Sequence, residues 1–430
     1  MKVPKKNALI PFLIVAVSGP VSVVSLGTPA SATTQQDAVA AAQGYLDAVD
    51  GQLLSTPETQ TAISAFALDA GESSAADTNA SQAAVAYELG KSTQFRDWAA
   101  SHSDTYTSVD SALVVGAVTV SGSRATVTGE VTTTMLWSTS ATGETLPPEK
   151  EADVASARAA GRAFAPGETV TSEVATNHLI TMAQTSRGWK IVSDAYVDPF
   201  NEELAADHVT PRSEPGASDD IDVSGPADAG TAGTPTPDLL AKAAAAAPAS
   251  HPFSYNRGRA AAYADRYWRS YNRVYPNCNP VGGDCANFVS QALWDPGAAN
   301  FPSERPYWHP GGLTTCGATA TAWRYTPAQH RFFVANPRGS AYNFASLGKK
   351  GSASYTRSYN IRSMFIGDVI FDDWTSNGEI DHVTIAVAYA GDNSTLIDAH
   401  NTNRRHTRWD FGGSRTTYYH DKFKNTITVP

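Results

Sequence analysis

A stretch of about 45 residues with almost no large apolar side chains divides this chain in two. It covers residues 206–250 and is rich in Pro, Gly, Ser, Ala and Asp. Because such a stretch cannot bury enough apolar surface to offset the entropy lost on ordering, it is predicted to be a flexible, partly extended linker. The chain has 430 residues, enough for two to three domains of roughly 100–200 residues each. We therefore expect one domain on each side of the linker, at 33–205 and 251–430.

Residues 1–32 have the pattern of a secretory signal peptide. Three lysines precede an apolar stretch from Ala8 to about Leu26, and Ala30-Ser31-Ala32 ends it with a small-residue cleavage pattern. Proline and glycine interrupt the apolar stretch, which favours cleavage over a retained membrane anchor. No other segment has the roughly 18 consecutive apolar residues that span a bilayer. The sequence thus predicts a secreted, extracellular or cell-wall-associated protein with no membrane span after cleavage.

The two sides of the linker differ in charge. Residues 33–250 have 10 basic and 29 acidic side chains, a net charge of −19, whereas residues 251–430 have 19 basic and 13 acidic, a net charge of +6. The chain as a whole is acidic, with a net charge of −10, so its composition does not suggest a nucleic-acid-binding protein. A basic second half would be attracted over a long range to an anionic surface such as a cell wall.

The first side of the linker is predicted to be a small α+β domain. Apolar residues recur with helical spacing over 36–48 and 83–100, and the pattern then changes to strand alternation, ending in a hairpin over 179–197. Two helices followed by a curved antiparallel sheet resemble the cone-shaped cystatin-like or SnoaL-like fold. The residues suggest no catalytic constellation there, and the role of this domain is left open.

The most specific motif lies on the other side of the linker, at Gly282–Gln291. Asp284 is a good helix N-cap residue, and apolar residues recur at helical spacing after it. Cys285 is therefore expected in the first turn of a helix, where unpaired N–H groups and the helix dipole favour an anion and should lower the thiol pKa. A thiolate there could attack an acyl carbon. The alternative is a buried structural cysteine.

The three cysteines are too few for a disulfide scaffold or a four-thiolate metal site. In an exported protein an odd number leaves at least one thiol unpaired. Cys278 and Cys316 both lie in segments with loop composition and could form a disulfide, which would leave Cys285 as the free thiol. The alternative is that Cys278 and Cys316 are both free and buried.

A cysteine nucleophile needs a base, and His382 is the candidate. It follows a turn and begins a β-branched run that is predicted to be a strand. On the strand predicted after the next turn, His400 could orient the imidazole of His382, as the third member of a triad does. Asp398 and Asn401 are close alternatives for the same role.

Four segments of the second half resemble, in the right order, the amidase domain of secreted Gram-positive proteins: GGDCANFVSQAL, GDVIFDDW, GEIDHVTIAV and AHNTNRRH. That domain is related to the NlpC-type and CHAP papain-like cysteine peptidases. The resemblance covers about His251 to Pro430 and implies a papain-like α+β fold, with a nucleophile helix packed on an antiparallel sheet. It implies Cys285 as nucleophile, His382 as general base and, as in NlpC-type relatives, a histidine on the next strand as third member. It also implies an oxyanion site formed by Tyr275 and the backbone N–H of Cys285.

Together these features predict a secreted cysteine amidase or peptidase that hydrolyses an amide bond through an acyl-enzyme, most plausibly in peptidoglycan. We expect a peptidoglycan or peptide amide as substrate, and no metal, cofactor or nucleic acid. The competing hypothesis is a non-catalytic protein that keeps the fold and binds the cell wall or a partner. Neither the bond that is cleaved nor the oligomeric state follows from the sequence.

Overall fold

The structure is a computed structural model of the 430-residue chain. It describes ten segments, which are 32–54, 63–196, 255–279, 283–294, 308–310, 315–335, 342–349, 357–374, 376–411 and 416–423. The predicted signal peptide and linker lie outside the described residues, apart from Ala32. Within the described part of the chain, no helix has the length and apolarity needed to cross a membrane.

The described residues of the first half include three long helices and four strands. The helices are α1 (Ala32–Leu53), α2 (Ala75–Ser101) and α3 (Pro148–Ala159). The strands are β1 (Asp104–Ser121), β2 (Arg124–Thr139), β3 (Val170–Thr185) and β4 (Gly188–Ala195). The two helices predicted from periodicity lie within α1 and α2. The predicted hairpin is formed by β3 and β4, and Gly188 adopts the positive φ of 99° that its turn requires.

The second half alternates helices and strands around the motifs described above. The helices are α4 (Arg257–Tyr267), α5 (Cys285–Trp294), α6 (Thr321–Arg324), α7 (Thr326–Ala335) and α8 (Arg357–Ser363). The strands are β5 (Tyr342–Lys349), β6 (Val369–Asp373), β7 (His382–Tyr389), β8 (Thr395–Ala399), β9 (Asn403–Arg408) and β10 (Thr417–Phe423). The helix expected to start at Cys285 and the strand expected to start at His382 both begin at those residues.

All the described strands belong to one ten-stranded sheet. Its order is β1-β2-β3-β9-β8-β7-β6-β10-β5, with β4 paired to β3 outside this path, and every pairing is antiparallel. The predicted class, a mixed α+β fold with an antiparallel sheet, is confirmed. The two halves meet where β3 pairs with β9, with Val174 opposite Arg404.

The halves also share a hydrophobic core. Phe95, Trp98 and Trp137 of the first half belong to the same buried cluster as Phe288 and Phe411 of the second. The ring of Phe411 meets those of Phe95 and Trp98 edge to face, at centroid distances of 6.2 and 5.4 Å, a favourable aromatic geometry. The two sides of the linker therefore pack as one body.

Buried charges join the halves as well. Arg408 donates from Nε to Asp104 at 2.6 Å and from Nη1 to Asp392 at 3.3 Å, and all three side chains are almost completely buried. Its guanidinium also lies 5.0 Å from the ring centroid of Trp137. His102 reaches across in the same region, with Nε2 2.8 Å from a carboxylate oxygen of Asp410. Each of these charges depends on a partner, because isolated charges are strongly disfavoured in a protein interior.

We expect the substitution Arg408→Met to lower the free energy of unfolding by about 3–5 kcal/mol, because it leaves the carboxylates of Asp104 and Asp392 buried without their counter-ion. Chemical denaturation followed by circular dichroism measures the loss. The control variant Arg187→Met removes ion pairs with Asp69 and Glu72 that lie at the surface. Its denaturation midpoint should therefore barely change. Equal effects in the two variants would contradict the assignment.

Candidate active site

Cys285 is the first residue of α5, and its side chain is 5 % exposed. The apolar stripe expected along this helix is present, since Phe288, Val289 and Leu293 are fully buried. The carbonyl of Asp284 accepts the N–H of Phe288 at 2.8 Å and so closes the first turn. The local sequence thus places the thiol at the start of a buried helix.

The thiol lies against two other elements of the second half. Its sulfur is 3.3 Å from the hydroxyl of Thr326, the first residue of α7. The nearby backbone N–H groups of Ala286 and Val383 also favour its anionic form. Burial outweighs these hydrogen bonds and raises the pKa of Cys285 to about 11. The expectation of a lowered pKa was therefore wrong for this state, because desolvation at the site is stronger than the effect of the helix start.

Asp284 connects the start of α5 to two other segments. Its carboxylate accepts the N–H of Cys278 at 2.6 Å and the side-chain amide of Asn287 at 2.7 Å, and its second oxygen is 2.7 Å from Nδ1 of His400. Its own N–H donates to Oδ1 of Asn401 at 2.6 Å. Asp284 is fully buried. These hydrogen bonds satisfy its carboxylate and its N–H, which would destabilise the folded state if they were buried without partners. The predicted N-cap residue is thus the centre of a buried polar network.

His400 does not act on His382 in this structure. Its Nδ1 faces Asp284, its Nε2 lies 2.7 Å from the backbone carbonyl of Tyr267, and its ring stacks on Phe288 at a centroid distance of 4.0 Å. Both ring nitrogens are therefore used, and the expected role of His400 as the residue that orients His382 is corrected. It instead fixes the start of the helix that carries Cys285.

Asn401 belongs to the same network. It adopts a positive φ of 82°, and its side chain lies against the backbone of Gly283. A Cβ at Gly283 would lie 2.2 Å from the amide nitrogen of Asn401, so only glycine fits at this close approach. Asn401 thus holds the turn before Cys285, and its hydrogen bond is to Asp284 rather than to His382.

His382 begins β7 and is 1 % exposed. Its ring stacks with Trp374 at a centroid distance of 5.6 Å, and neither ring nitrogen has a hydrogen-bond partner among the described residues. Burial, followed by the positive charge of Arg404, lowers the pKa of His382 to about 3. The imidazole is therefore neutral and carries two unsatisfied polar atoms.

The imidazole and the thiol are not hydrogen-bonded to each other. Successive side chains of a strand point to opposite faces of the sheet, and Val383 and Ile385 belong to the core that contains Cys285. His382 therefore lies on the opposite face of β7 from Val383 and Ile385. It shares that face with Ala386, which belongs to a different buried cluster. The contact from β7 to the sulfur is made by the backbone of Val383. The structure thus brings the two segments together but not the two reactive groups.

Asp398 lies in a separate buried cluster. One carboxylate oxygen accepts the N–H of His406 at 2.8 Å, whereas the other has no partner among the described residues. His406 is in turn 2.7 Å from Asp265, whose other oxygen pairs with Arg162. Ligand atoms of Asp265, Asp398 and His406 lie within 4.8 Å of one another, the spacing of a possible metal site, although Arg162 already neutralises one carboxylate.

Tyr275 packs beside α5. Its ring stacks with Trp323 at a centroid distance of 6.2 Å, and the indole of Trp323 donates to Asn287 at 2.8 Å. Thr326 was missed in the sequence, because a Thr-Pro pair marks only the start of a helix and nothing local indicates that it faces a cysteine.

The disulfide candidates are bonded in the structure: Cys278 and Cys316 are joined with their Cα atoms 5.3 Å apart, and Cys285 is free.

The second half is similar to known proteins. Residues 254–422 match the family model described as "Putative amidase domain". An uncharacterized protein of Bacillus subtilis, YhbB, is 29 % identical over 162 residues, which are 38 % of this chain and 46 % of that protein. The chain thus spans about half the length of this relative. The family match indicates an amidase domain, that is, a hydrolase acting on amide bonds.

Two solved structures resemble the chain more weakly. One is a dehydratase-like protein of the NTF2-like family from Streptomyces avermitilis, with a TM-score of 0.23 and 14 % identity, which covers 38 % of this chain and 95 % of that one. The other is the intermembrane-space region of the chloroplast protein ARC6, with a TM-score of 0.21 and 17 % identity, which covers 39 % and 98 % respectively. Similarities at this level do not identify a fold.

Alkylation of Cys285 by iodoacetamide in the native protein should become steadily faster up to pH 9.5 without reaching a plateau, because burial holds the thiol pKa at about 11. In denaturant, with the disulfide intact, the rate should level off near the ordinary thiol pKa of ~8.5. Mass spectrometry of the labelled peptide measures both rates. A plateau below pH 8 in the native protein would show that the thiol is activated at rest.

The stability of the protein should depend on the protonation of Asp398. Burial raises its pKa to about 7, above the ~3.9 of an unfolded aspartate, so the native state retains a proton that the unfolded chain releases. The stabilising contribution is therefore complete below about pH 4 and is lost as the pH rises through about 7.

Unfolding free energies at pH 4.5 and 7.5 test this expectation. Asp398→Asn should gain stability relative to the unsubstituted protein as the pH rises, whereas Asp37→Asn, at an exposed position of α1, should follow the unsubstituted profile. Parallel profiles for all three proteins would mean that Asp398 titrates normally.

Proposed function

We propose that this chain is an exported cysteine amidase that hydrolyses an amide bond in peptidoglycan, with Cys285 as nucleophile. The observation that carries the proposal is the placement of the free thiol at the first residue of α5, 3.3 Å from the hydroxyl of Thr326. Backbone donors at a helix start stabilise a thiolate once it forms. The amidase family match over residues 254–422 supports the reaction class.

His382 is the proposed general base. Its neighbour Val383 lies near the sulfur. A change in the backbone at the start of β7 would be needed to bring the imidazole to the thiol, and neither ring nitrogen would give up a hydrogen bond among the described residues in that movement. The expected sequence is transfer of the Cys285 proton to His382, attack on the carbonyl carbon, loss of the amine and hydrolysis of the acyl-enzyme by water. Hydrogen bonds between catalytic groups often form only when substrate is bound.

In this proposal Asp284, His400 and Asn401 position the nucleophile rather than the base. Their hydrogen bonds hold the turn and the first residue of α5, and a small displacement of a nucleophile is costly for the reaction rate. Asp398 lies in its own cluster and is assigned no role in proton transfer. The residues invoked for the reaction need neither a metal nor a cofactor.

The proposed substrate and location rest on the sequence. The signal-peptide pattern over residues 1–32 and the disulfide between Cys278 and Cys316 are consistent with export. The net charge of +6 over residues 251–430 would favour association with an anionic cell wall.

A second function is supported by one observation. The raised pKa of Cys285 and the separation of its sulfur from the imidazole of His382 are also what a non-catalytic binding protein with this fold would show. Such a protein would bind the cell wall or a partner and release no product. The two functions therefore differ in whether turnover occurs.

Digestion of purified peptidoglycan, followed by mass spectrometry of the released fragments, tests both. We expect new amine and carboxyl termini with the mature protein, a loss of roughly 10³-fold or more with Cys285→Ala, and a loss of roughly 10²–10⁴-fold with His382→Ala. The control Arg187→Ala, an exposed position of the first half, should retain full activity.

Circular dichroism must show that each variant is folded. Full activity of folded Cys285→Ala would exclude the mechanism. Sedimentation of the mature protein with peptidoglycan without any release of fragments would favour the binding protein.

A further inference from the structure

The first half contains a cavity that the proposed reaction does not use. It lies between α1, α2 and the inner face of the sheet, is partly open to solvent, and has a volume of about 90 Å³. Most of its wall is apolar or aromatic, including Leu46, Phe95, Met135 and Phe411. An apolar wall with a few converging polar groups is the usual composition of a small-molecule site.

One polar group of the wall is a buried carboxyl that lacks a counter-ion. Asp50 is 5 % exposed and accepts hydrogen bonds from the backbone N–H of Ser111 at 2.5 Å and from its hydroxyl at 2.8 Å. No basic side chain of the described residues forms an ion pair with it. Buried carboxylates in proteins are normally paired with a cation, so a charge of the opposite sign is missing here.

The other charged groups of the wall are already paired. Glu88 forms an ion pair with Lys91, and Asp194 lies 3.0 Å from Nδ1 of His178. Among the described residues, no basic side chain lies at the same distance from Asp50. Its carboxyl is therefore the position in the wall where a cation would gain a new partner.

The surroundings of Asp50 reinforce this potential. Burial first, and then the negative charges of Asp110 and Asp47, raise its pKa to about 6. Ser111 acts in the opposite direction through its hydrogen bonds but does not restore the ordinary value. The carboxyl of Asp50 is thus close to negative side chains of α1 and of β1. A bound cation would reduce the repulsion between these charges.

The wall also contains a polar atom that has no hydrogen-bond partner among the described residues. The hydroxyl of Tyr45 is buried and has no hydrogen-bond partner among the described residues, and the side chain is 1 % exposed. Leaving such a group without a partner is unfavourable. The aromatic rings of Tyr45, Phe95 and Phe411 line the same space, and aromatic faces attract organic cations.

We propose that this cavity binds a small aliphatic ammonium ion, whose charged nitrogen pairs with Asp50 and whose chain lies against the ring of Tyr45. Its alkyl part would contact Leu46, Phe95 and Met135. The volume limits the size of the ligand. A closed cavity of about 150 Å³ can hold the six heavy atoms of benzene, so a cavity of about 90 Å³ that is partly open to solvent admits roughly four to five heavy atoms.

The binding site needs both halves of the chain. Phe411, which follows β9, forms part of the wall and packs against Phe95 and Trp98. Its ring is also 5.6 Å from the guanidinium of Arg404, whose charge lowers the pKa of His382. The experiment therefore requires the mature full-length chain, and its result does not depend on amidase activity.

Isothermal titration of the mature protein with isobutylammonium at pH 7.5 tests the proposal. We expect a dissociation constant on the order of 1 mM, as befits a ligand of five heavy atoms. The neutral isostere isobutanol and the anion isovalerate should bind about tenfold more weakly or not at all, because they cannot pair with Asp50.

Two variants make the test specific. Asp50→Asn should weaken isobutylammonium binding about tenfold, whereas Asp37→Asn, at an exposed position near the start of the same helix, should leave binding within about twofold. No detectable binding of isobutylammonium, equal affinities for isobutylammonium and isobutanol, or equal affinities in folded Asp50→Asn and the unsubstituted protein would each overturn the proposal. Because the ligand comparison uses the unsubstituted protein, it decides the question even if Asp50→Asn does not fold.

Discussion

The pairing of β3 with β9 is the contact on which the arrangement of this protein depends. It joins four strands of the first half to six strands of the second in one antiparallel sheet. Once these two strands are adjacent, Arg408 reaches Asp104, and Phe411 packs on Phe95 and Trp98. The backbone ladder, the buried ion pair and the aromatic cluster support one another, because each would leave buried polar or apolar groups exposed if the others were absent.

The opposite net charges of the two halves form ion pairs across this junction. Acidic side chains of the first half pair with arginines of the second in three places: Asp104 with Arg408, Glu130 with Arg269, and Glu173 with Arg405. Arg162 and Asp265 form a further pair of the opposite polarity. Part of the positive charge of the second half is therefore used within the molecule, which reduces what is available to attract an anionic cell wall.

In the candidate site, burial fixes the position of Cys285 but makes its thiol less reactive. Asp284, His400 and Asn401 hold the start of α5 in a fully bonded network, so the position of Cys285 is well determined. The thiol itself is desolvated, its pKa is raised, and the imidazole of His382 lies on the other face of β7. A rigidly placed thiol that is protonated at rest is slow to be alkylated or oxidised, because the thiolate is the reactive form.

The sequence by itself determined which residues begin the key elements and which class of fold they form. Cys285 starts a helix and His382 starts a strand because capping, helical periodicity and β-branched runs act over a few residues. It also indicated that Cys278 and Cys316 could pair. Only the tertiary structure decided that His400 and Asn401 bond to Asp284, that Thr326 faces the thiol, and that the two halves share a sheet. These outcomes depend on contacts between residues that are far apart in the chain and on which face of a strand each side chain takes, and a shift of one residue in strand register exchanges the two faces.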